Sequence, residues 1–125
     1  MATRAVFSFA GFPGAPERHF YLHHDGYPTG AAWRLAAARR DAPDAAGFLA
    51  AFLSSHRQAE SLASPEVAAD AEYRYRVQLL VGSESRLAVQ CWRRLPGDGV
   101  GDWRLRCGPM PLAAFIQRFL PGDPL

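Results

Sequence analysis

The chain has no lysine: all 14 of its basic residues are arginine, against 12 acids, for a net charge of +2 over 125 residues. Arginine suits phosphate, carboxylate and aromatic contacts better than lysine does. The accompanying excess of Ala, Gly and Pro also fits a GC-rich coding bias, so arginine usage by itself names no partner. Cysteine is scarce. Cys91 and Cys107 come without a Cys-x-x-Cys or a nearby Cys/His pair, which excludes the common zinc signatures. No apolar run approaches the roughly 18 residues of a membrane span. The opening "MATRAVFSFAGFPGAPERH" alternates like a strand and is broken by Pro13 and Pro16, unlike a signal peptide's continuous apolar region. Gly-x-Ser-x-Gly, Gly-x-x-x-x-Gly-Lys and Gly-x-Gly-x-x-Gly are all absent, so neither a nucleophile elbow nor a nucleotide-phosphate loop is indicated.

With 49% hydrophobic, 12% aromatic and 21% charged residues, the composition suits one soluble domain with a substantial core, spanning residues 1–125. Cytoplasmic location is expected, with both cysteines reduced, buried and adjacent across neighbouring strands.

"AVFSFAGF" and "RHFYLHHD" each alternate and predict a hairpin, with Phe7, Phe9, Phe20 and Leu22 facing the core. Pro28 fits the first position of a helix over "TGAAWRLAAARRD", where Arg39 and Arg40 favour the last turn. Asp44 is the expected N-cap of a second helix, "DAAGFLAAFLSSHRQ". Residues 59–71 give no clear pattern beyond a possible short turn at Ser64-Pro65-Glu66. From Glu72 the period becomes two. Tyr73, Tyr75, Val77, Leu79 and Val81 share a face, as do Leu87, Val89, Cys91 and Leu95, and then Trp103, Leu105 and Cys107: a three-strand meander. "PLAAFIQRF" predicts a closing helix with Leu112, Phe115, Ile116 and Phe119 inward, ended by Pro121. The order is ββααβββα, an α+β two-layer fold in which an antiparallel sheet carries helices on one face and opens the other to water.

"HFYLHHDGYPTG" (His19 to Gly30) gathers three of the four histidines beside an Asp-Gly turn. On an extended strand His19, His23 and Asp25 would spread over about 20 Å at roughly 3.3 Å per residue, too far to ligate one metal ion. The favoured reading is a structural junction. Asp25-Gly26 turns the chain, Tyr27 packs under the helix, Pro28 starts it, Asp25 caps it, and Gly30 allows close approach. No metal or cofactor is expected. The competing reading is an enzyme, hydrolase-like or metal-assisted, with a site at His23, Asp25, Tyr27 and His19.

"FYLHHDGYPTG" resembles the Y-x-H-x-D-G-Y-P-x-G signature of a family of small uncharacterised bacterial and phage proteins. "DAEYRYRV" (Asp70 to Val77) is similar to the D-x-E-Y-x-Y-x-V strand found later in that family. The family position before the aspartate, often Trp, is His24 here. The resemblance implies a shared fold and a bacterial or prophage setting, and it implies no chemistry.

The functional expectation rests on the meander. Residues 72–107 hold seven Arg against four acids, while residues 1–71 hold six Arg against seven. Alternation turns Arg74, Arg76, Gln78, Arg86, Gln90, Trp92, Arg94, Arg104 and Arg106 away from the helices. Turns centred on Glu84 and Gly99 would pair Arg76 and Arg106 with Trp92, Arg74 and Arg104 with Arg94, and Cys91 with Cys107. An exposed Trp among arginines suits a binding face, so Trp92, Arg74, Arg76, Arg94, Arg104 and Arg106 are the candidate binding residues. The expected partner is a protein or a second copy of the chain. Nucleic acid is the weaker alternative, because sheet readers of RNA usually present two or three aromatics. No membrane is expected.

Overall fold

The computed structural model describes residues 3–14, 16–82, 86–94 and 103–122. One mixed sheet runs in the order β3-β2-β1-β4-β5-β6. Its strands are β1 (Ala5–Ala10), β2 (Glu17–Leu22), β3 (Glu60–Leu62), β4 (Tyr73–Leu80), β5 (Arg86–Arg93) and β6 (Arg104–Pro111). The helices are α1 (Pro28–Asp41), α2 (Phe48–Ser55) and α3 (Leu112–Phe119). The α+β class and the ββααβββα order are as the periodicities predict, with short β3 and a single 3-10 turn at Pro65–Val67 added in the stretch that had no pattern.

The sheet is not wholly antiparallel. β1 and β2 form the expected hairpin, but β4 lies parallel to β1, with Phe7 opposite Tyr75 and Phe9 opposite Val77. The long connection through α1, α2 and β3 frees the chain to return in either direction, and a parallel pair needs just such a crossover.

β1 lies between β2 and β4 and is buried on both faces. Towards the helices, Phe7 and Phe9 meet Phe20, Phe52 and Tyr75 at ring-centroid distances of 5.0–6.0 Å. Burying each such side chain stabilises by roughly 1.5–3 kcal/mol. α1 presents Ala31, Ala32, Leu35, Ala36 and Ala38 to this core, small side chains that let the helix lie close. α2 adds Phe48, Leu49 and Phe52; α3 adds Leu112, Phe115 and Ile116. α2 starts at Phe48 rather than Asp44, whose Oδ1 accepts from the Gly47 N–H at 2.8 Å one residue ahead of the helix.

The opposite face is not simply open to water. Over β1 and β2 it is roofed by residues 63–71, where Ala68 and Ala71 pack on Val6 and Tyr21, with Leu62 and Trp103 alongside. Beyond the roof, the face of β4, β5 and β6 remains uncovered by any described helix.

The meander register also differs. Cys91 pairs with Cys107 as expected, and both are buried free thiols. However, Trp92 lies between Arg74 and Leu105, not between Arg76 and Arg106, and Arg93 rather than Arg94 pairs with Arg104. Between β4 and β5 each residue's partner lies two positions from the expected one, so that Arg74 rather than Arg76 faces Trp92. β6 carries two irregularities, each adding one residue on its side. The extra residue at Arg106 inverts the alternation before it, because a one-residue slip turns side chains to the other face. Leu105 and Trp103 therefore leave the helix-side core that Cys107 joins, and Leu105 is exposed. Both turns of the meander and Leu95 lie outside the described residues.

Candidate functional site

β1 places only Val6, Ser8 and Ala10 on the second sheet face. Side chains from β2 and β4 therefore meet above it. Glu17 crosses β1 and accepts from Arg76 Nε at 2.7 Å and from Arg74 Nη2 at 3.2 Å. Ser8 Oγ accepts from Arg74 Nε at 3.2 Å and lies 2.7 Å from His19 Nδ1. His19 Nε2 in turn faces the Glu17 carboxylate at 3.5 Å. Satisfying every group fixes the protons: Ser8 donates to Nδ1, and the ring proton resides on Nε2, towards Glu17. Burial holds the His19 imidazole below its usual pKa; Arg74 and Arg76 add to this, and Glu17 and Glu66 oppose it. Burial likewise lowers the pKa of Arg74, against the pull of Glu17.

Ser8, His19 and Glu17 form a chain of the kind that activates a nucleophile. It does not serve that purpose here. Ser8 has no exposed surface, lies mid-strand in a buried strand, and its oxygen already accepts from a guanidinium. The cluster is a satisfied polar core for the second face.

The other arginines of the expected face divide by role. Arg94 ties down the roof, donating to Ala68 O at 2.7 Å and Ala71 O at 2.9 Å while stacking over Trp103 at 4.2 Å. Arg93 lies on the helix side, above Tyr73 and 2.8 Å from Glu72. Arg104, paired with it, is on that side too, which corrects its expected orientation. Arg74 covers the Trp92 ring at 5.0 Å, leaving Trp92 half-buried. Arg76 also reaches Gln78 and Gln90. Arg86, Arg104 and Arg106 are exposed.

The four residues of the competing site are not brought together. His19 is under the roof. His23 pairs with Glu60 of β3 at 2.9 Å and packs on the Tyr21 ring. Asp25 adopts a left-handed backbone (φ 55°) and does not cap α1: Tyr27 holds the N-cap position without a side-chain cap bond. Tyr27, the extended N-cap residue of α1, is exposed and does not pack under the helix. Two clefts, of about 390 and 350 Å³, open on the helix side; neither includes His19 or His23. Among the described residues no three His, Cys, Asp or Glu side chains gather as a metal site, and no helix is long and apolar enough to cross a membrane.

The junction is instead tied to β4 and the roof. Tyr75 OH donates to Gly26 O at 2.6 Å, Tyr21 OH donates to Asp70, and Gly26 N–H donates to Thr3 O at 2.9 Å. Both tyrosine pKa values are raised, first by burial. A Cβ on Gly30 would lie 2.2 Å from Asp25 O, so only glycine lets α1 begin so close to the turn.

Sequence reasoning did not single out Glu17, Ser8, Asp70 or Arg34. Glu17 was in phase with His19 and Tyr21, and Ser8 with Val6, but their partners lie on distant strands. Arg34 carried a signal: it falls at helical spacing among Ala31, Leu35 and Ala38, on the buried stripe of α1. Searches of family models, curated proteins and solved structures find nothing that matches this chain.

Proposed function

We propose that the protein works by binding, and that it takes an acidic protein surface on the part of the second sheet face beyond the roof. The observation that carries this reading is Leu105. It is 53% exposed, paired across the strands with half-buried Trp92, on the edge strand of the sheet. Exposed apolar side chains beside a Trp and ringed by arginine are the usual anchors of protein interfaces. Arg74 above the Trp92 ring and exposed Arg106 next to Leu105 supply the positive charge, while Glu17 already neutralises part of that on Arg74 and Arg76. Trp92 is the one aromatic on the uncovered described face, since Tyr21 lies under the roof and Trp103 under Arg94. That favours a protein over nucleic acid, whose sheet readers stack several bases. The cysteine usage fits the cytoplasm.

The test compares wild type with Trp92→Ala and Leu105→Glu, after circular dichroism shows both variants folded. Partners captured from the source cell, and the sedimentation coefficient of the pure protein, are measured for each. A partner or a self-associated form lost in both variants, with shallow salt dependence, is the expected result. The reading fails if neither change alters either measurement. A nucleic acid whose affinity falls steeply with salt would replace the protein partner.

A further inference from the structure

The start of α1 forms a cleft of about 350 Å³, at the small end of the roughly 300–1,000 Å³ of small-molecule sites. Its lining includes Asp25, Tyr27, Thr29, Trp33, Arg34 and Leu120. Trp33 and Tyr27 are 59% and 44% exposed, so two aromatic side chains with polar edges border it unoccupied by the core. Its cation is unusual. Arg34 is only 8% exposed, one Nη donates to His24 O at 2.9 Å, and its buried Nε meets no acceptor among the described residues. Asp25 is the charge set against it, and burial and Asp25 pull the guanidinium pKa in opposite directions. An incompletely bonded guanidinium held away from water is costly unless another group completes it.

The surrounding backbone is built for close polar contact. α1 is 14 residues long and begins with neither a side-chain cap nor an acid in its first turn, so the positive end of its dipole is uncompensated beside Thr29 and Gly30. Asp25 holds a left-handed conformation that favours glycine. Tyr75 and Gly30 fix that turn against β4 and the helix. The result is one positive and one negative group lining the same cleft under an aromatic rim.

We propose that this cleft binds a free α-amino acid with an aromatic side chain. The carboxylate meets Arg34 and the α1 N-terminus, the ammonium meets Asp25, and the ring lies against Trp33 and Tyr27. A ligand with only a carboxylate would face repulsion from Asp25, and one with only an amine would face it from Arg34. A zwitterion satisfies both.

Calorimetric titration of the intact protein with L-phenylalanine, phenylacetate and 2-phenylethylamine tests this. L-phenylalanine saturates the site, and each single-charge analogue binds about tenfold more weakly or worse, a loss of about 1.4 kcal/mol. Arg34→Gln abolishes binding. Trp33→Ala, on an exposed side chain, weakens it about tenfold. Asp25→Asn removes the preference for L-phenylalanine over phenylacetate, and these two variants decide the matter should Arg34→Gln not fold. Trp92→Ala leaves the titration unchanged, which separates this site from the sheet face. Absence of saturable binding by both L-phenylalanine and L-tryptophan at millimolar concentration overturns the proposal. So does equal binding of phenylacetate by wild type, or an unchanged affinity in Trp33→Ala.

Discussion

Replacing Glu17 by Gln probes the cluster on which the second sheet face is built. The carboxylate serves two arginines at once, at 2.7 and 3.2 Å, and among the described residues no other acid is hydrogen-bonded to either. The side chains of Glu17, Arg74 and Arg76 are 29%, 17% and 27% exposed, so they lie between a surface pair and a buried one. Exposed pairs contribute about 0–1 kcal/mol, whereas removing one partner of a buried pair costs about 3–5 kcal/mol. Scaled for partial exposure, the expected loss is about 2–3 kcal/mol. It arises mainly because two neighbouring guanidinium groups lose their counter-ion. For 125 residues, an unfolding entropy of about 2.1 cal/mol/K per residue converts that loss into a fall in Tm of roughly 8–11 °C. Scanning calorimetry on wild type and Glu17→Gln reads it directly. The triple change Glu17→Leu, Arg74→Met, Arg76→Met should be much milder, since removing all the charges together strands none. A fall of under about 2 °C for Glu17→Gln would refute the reasoning and class the cluster with ordinary surface pairs.

Four further outcomes follow from single features. Gly30→Ala, which in an exposed helix interior gains about 1 kcal/mol, should here lower Tm, because its Cβ would lie 2.2 Å from Asp25 O; a rise in Tm would show that the turn is not held against the helix. Burial lowers the pKa of both His19 and His56 from 6.5, so below that pH the unfolded chain binds protons that the folded chain refuses. Stability should therefore decline as pH falls below 6.5, and chemical denaturation of His19→Gln/His56→Gln should show a flatter dependence. Both thiols should react with a thiol reagent after denaturation and resist it when folded, because Cys91 is fully buried and its pKa is pushed up to about 12, first by burial. Trp92→Ala should cost less than the roughly 3–5 kcal/mol of emptying a buried aromatic site, because Trp92 is half-buried under Arg74; a larger loss in a urea titration would mean that it serves the core and not a surface.

Where the pattern was periodic and the element regular, the residues declared their place. Phe7 and Phe9, Tyr73 to Leu79, and the Leu112–Phe119 stripe all face where alternation or helical spacing puts them. Trp103 and Leu105 did not, because apolar residues fit either face and a single bulged residue between Leu105 and Cys107 leaves no hydrophobic mark. The direction of β4 was equally silent: a parallel and an antiparallel partner for β1 ask for the same alternating side chains. Residues 63–71 lack periodicity because they form no regular element of useful length. They become a roof only through Tyr21, Asp70 and the grip of Arg94, contacts spanning 23 to 49 positions along the chain. The alternation places Arg74, Arg76 and Trp92 on the second face as expected, whereas the bulge in β6 turns Arg104 to the helix side, and the face is not a uniform surface.

The His19-to-Gly30 stretch shows how structural and binding roles can share the same residues. Of its three histidines, His19 is taken up in the Ser8 and Glu17 cluster, His23 by Glu60, and His24 is exposed, so they do not form a reaction centre. What the stretch does supply is a fixed backbone. Tyr75 anchors the Gly26 carbonyl, Gly30 admits the Asp25 carbonyl into the first turn of α1, and Asp25 is thereby held in a conformation it would not choose alone. A junction designed only to turn the chain would do better with glycine at that position and a capping side chain at the helix start. This one keeps an aspartate opposite a buried arginine and leaves the helix end uncapped. Asp25→Gly separates the two roles: it should hold or raise Tm by relieving the left-handed strain, and it should abolish the preference of the cleft for a zwitterion. If Asp25→Gly lowers Tm by several degrees, the aspartate is there to hold the fold, and its charge opposite Arg34 serves stability rather than half of a binding site.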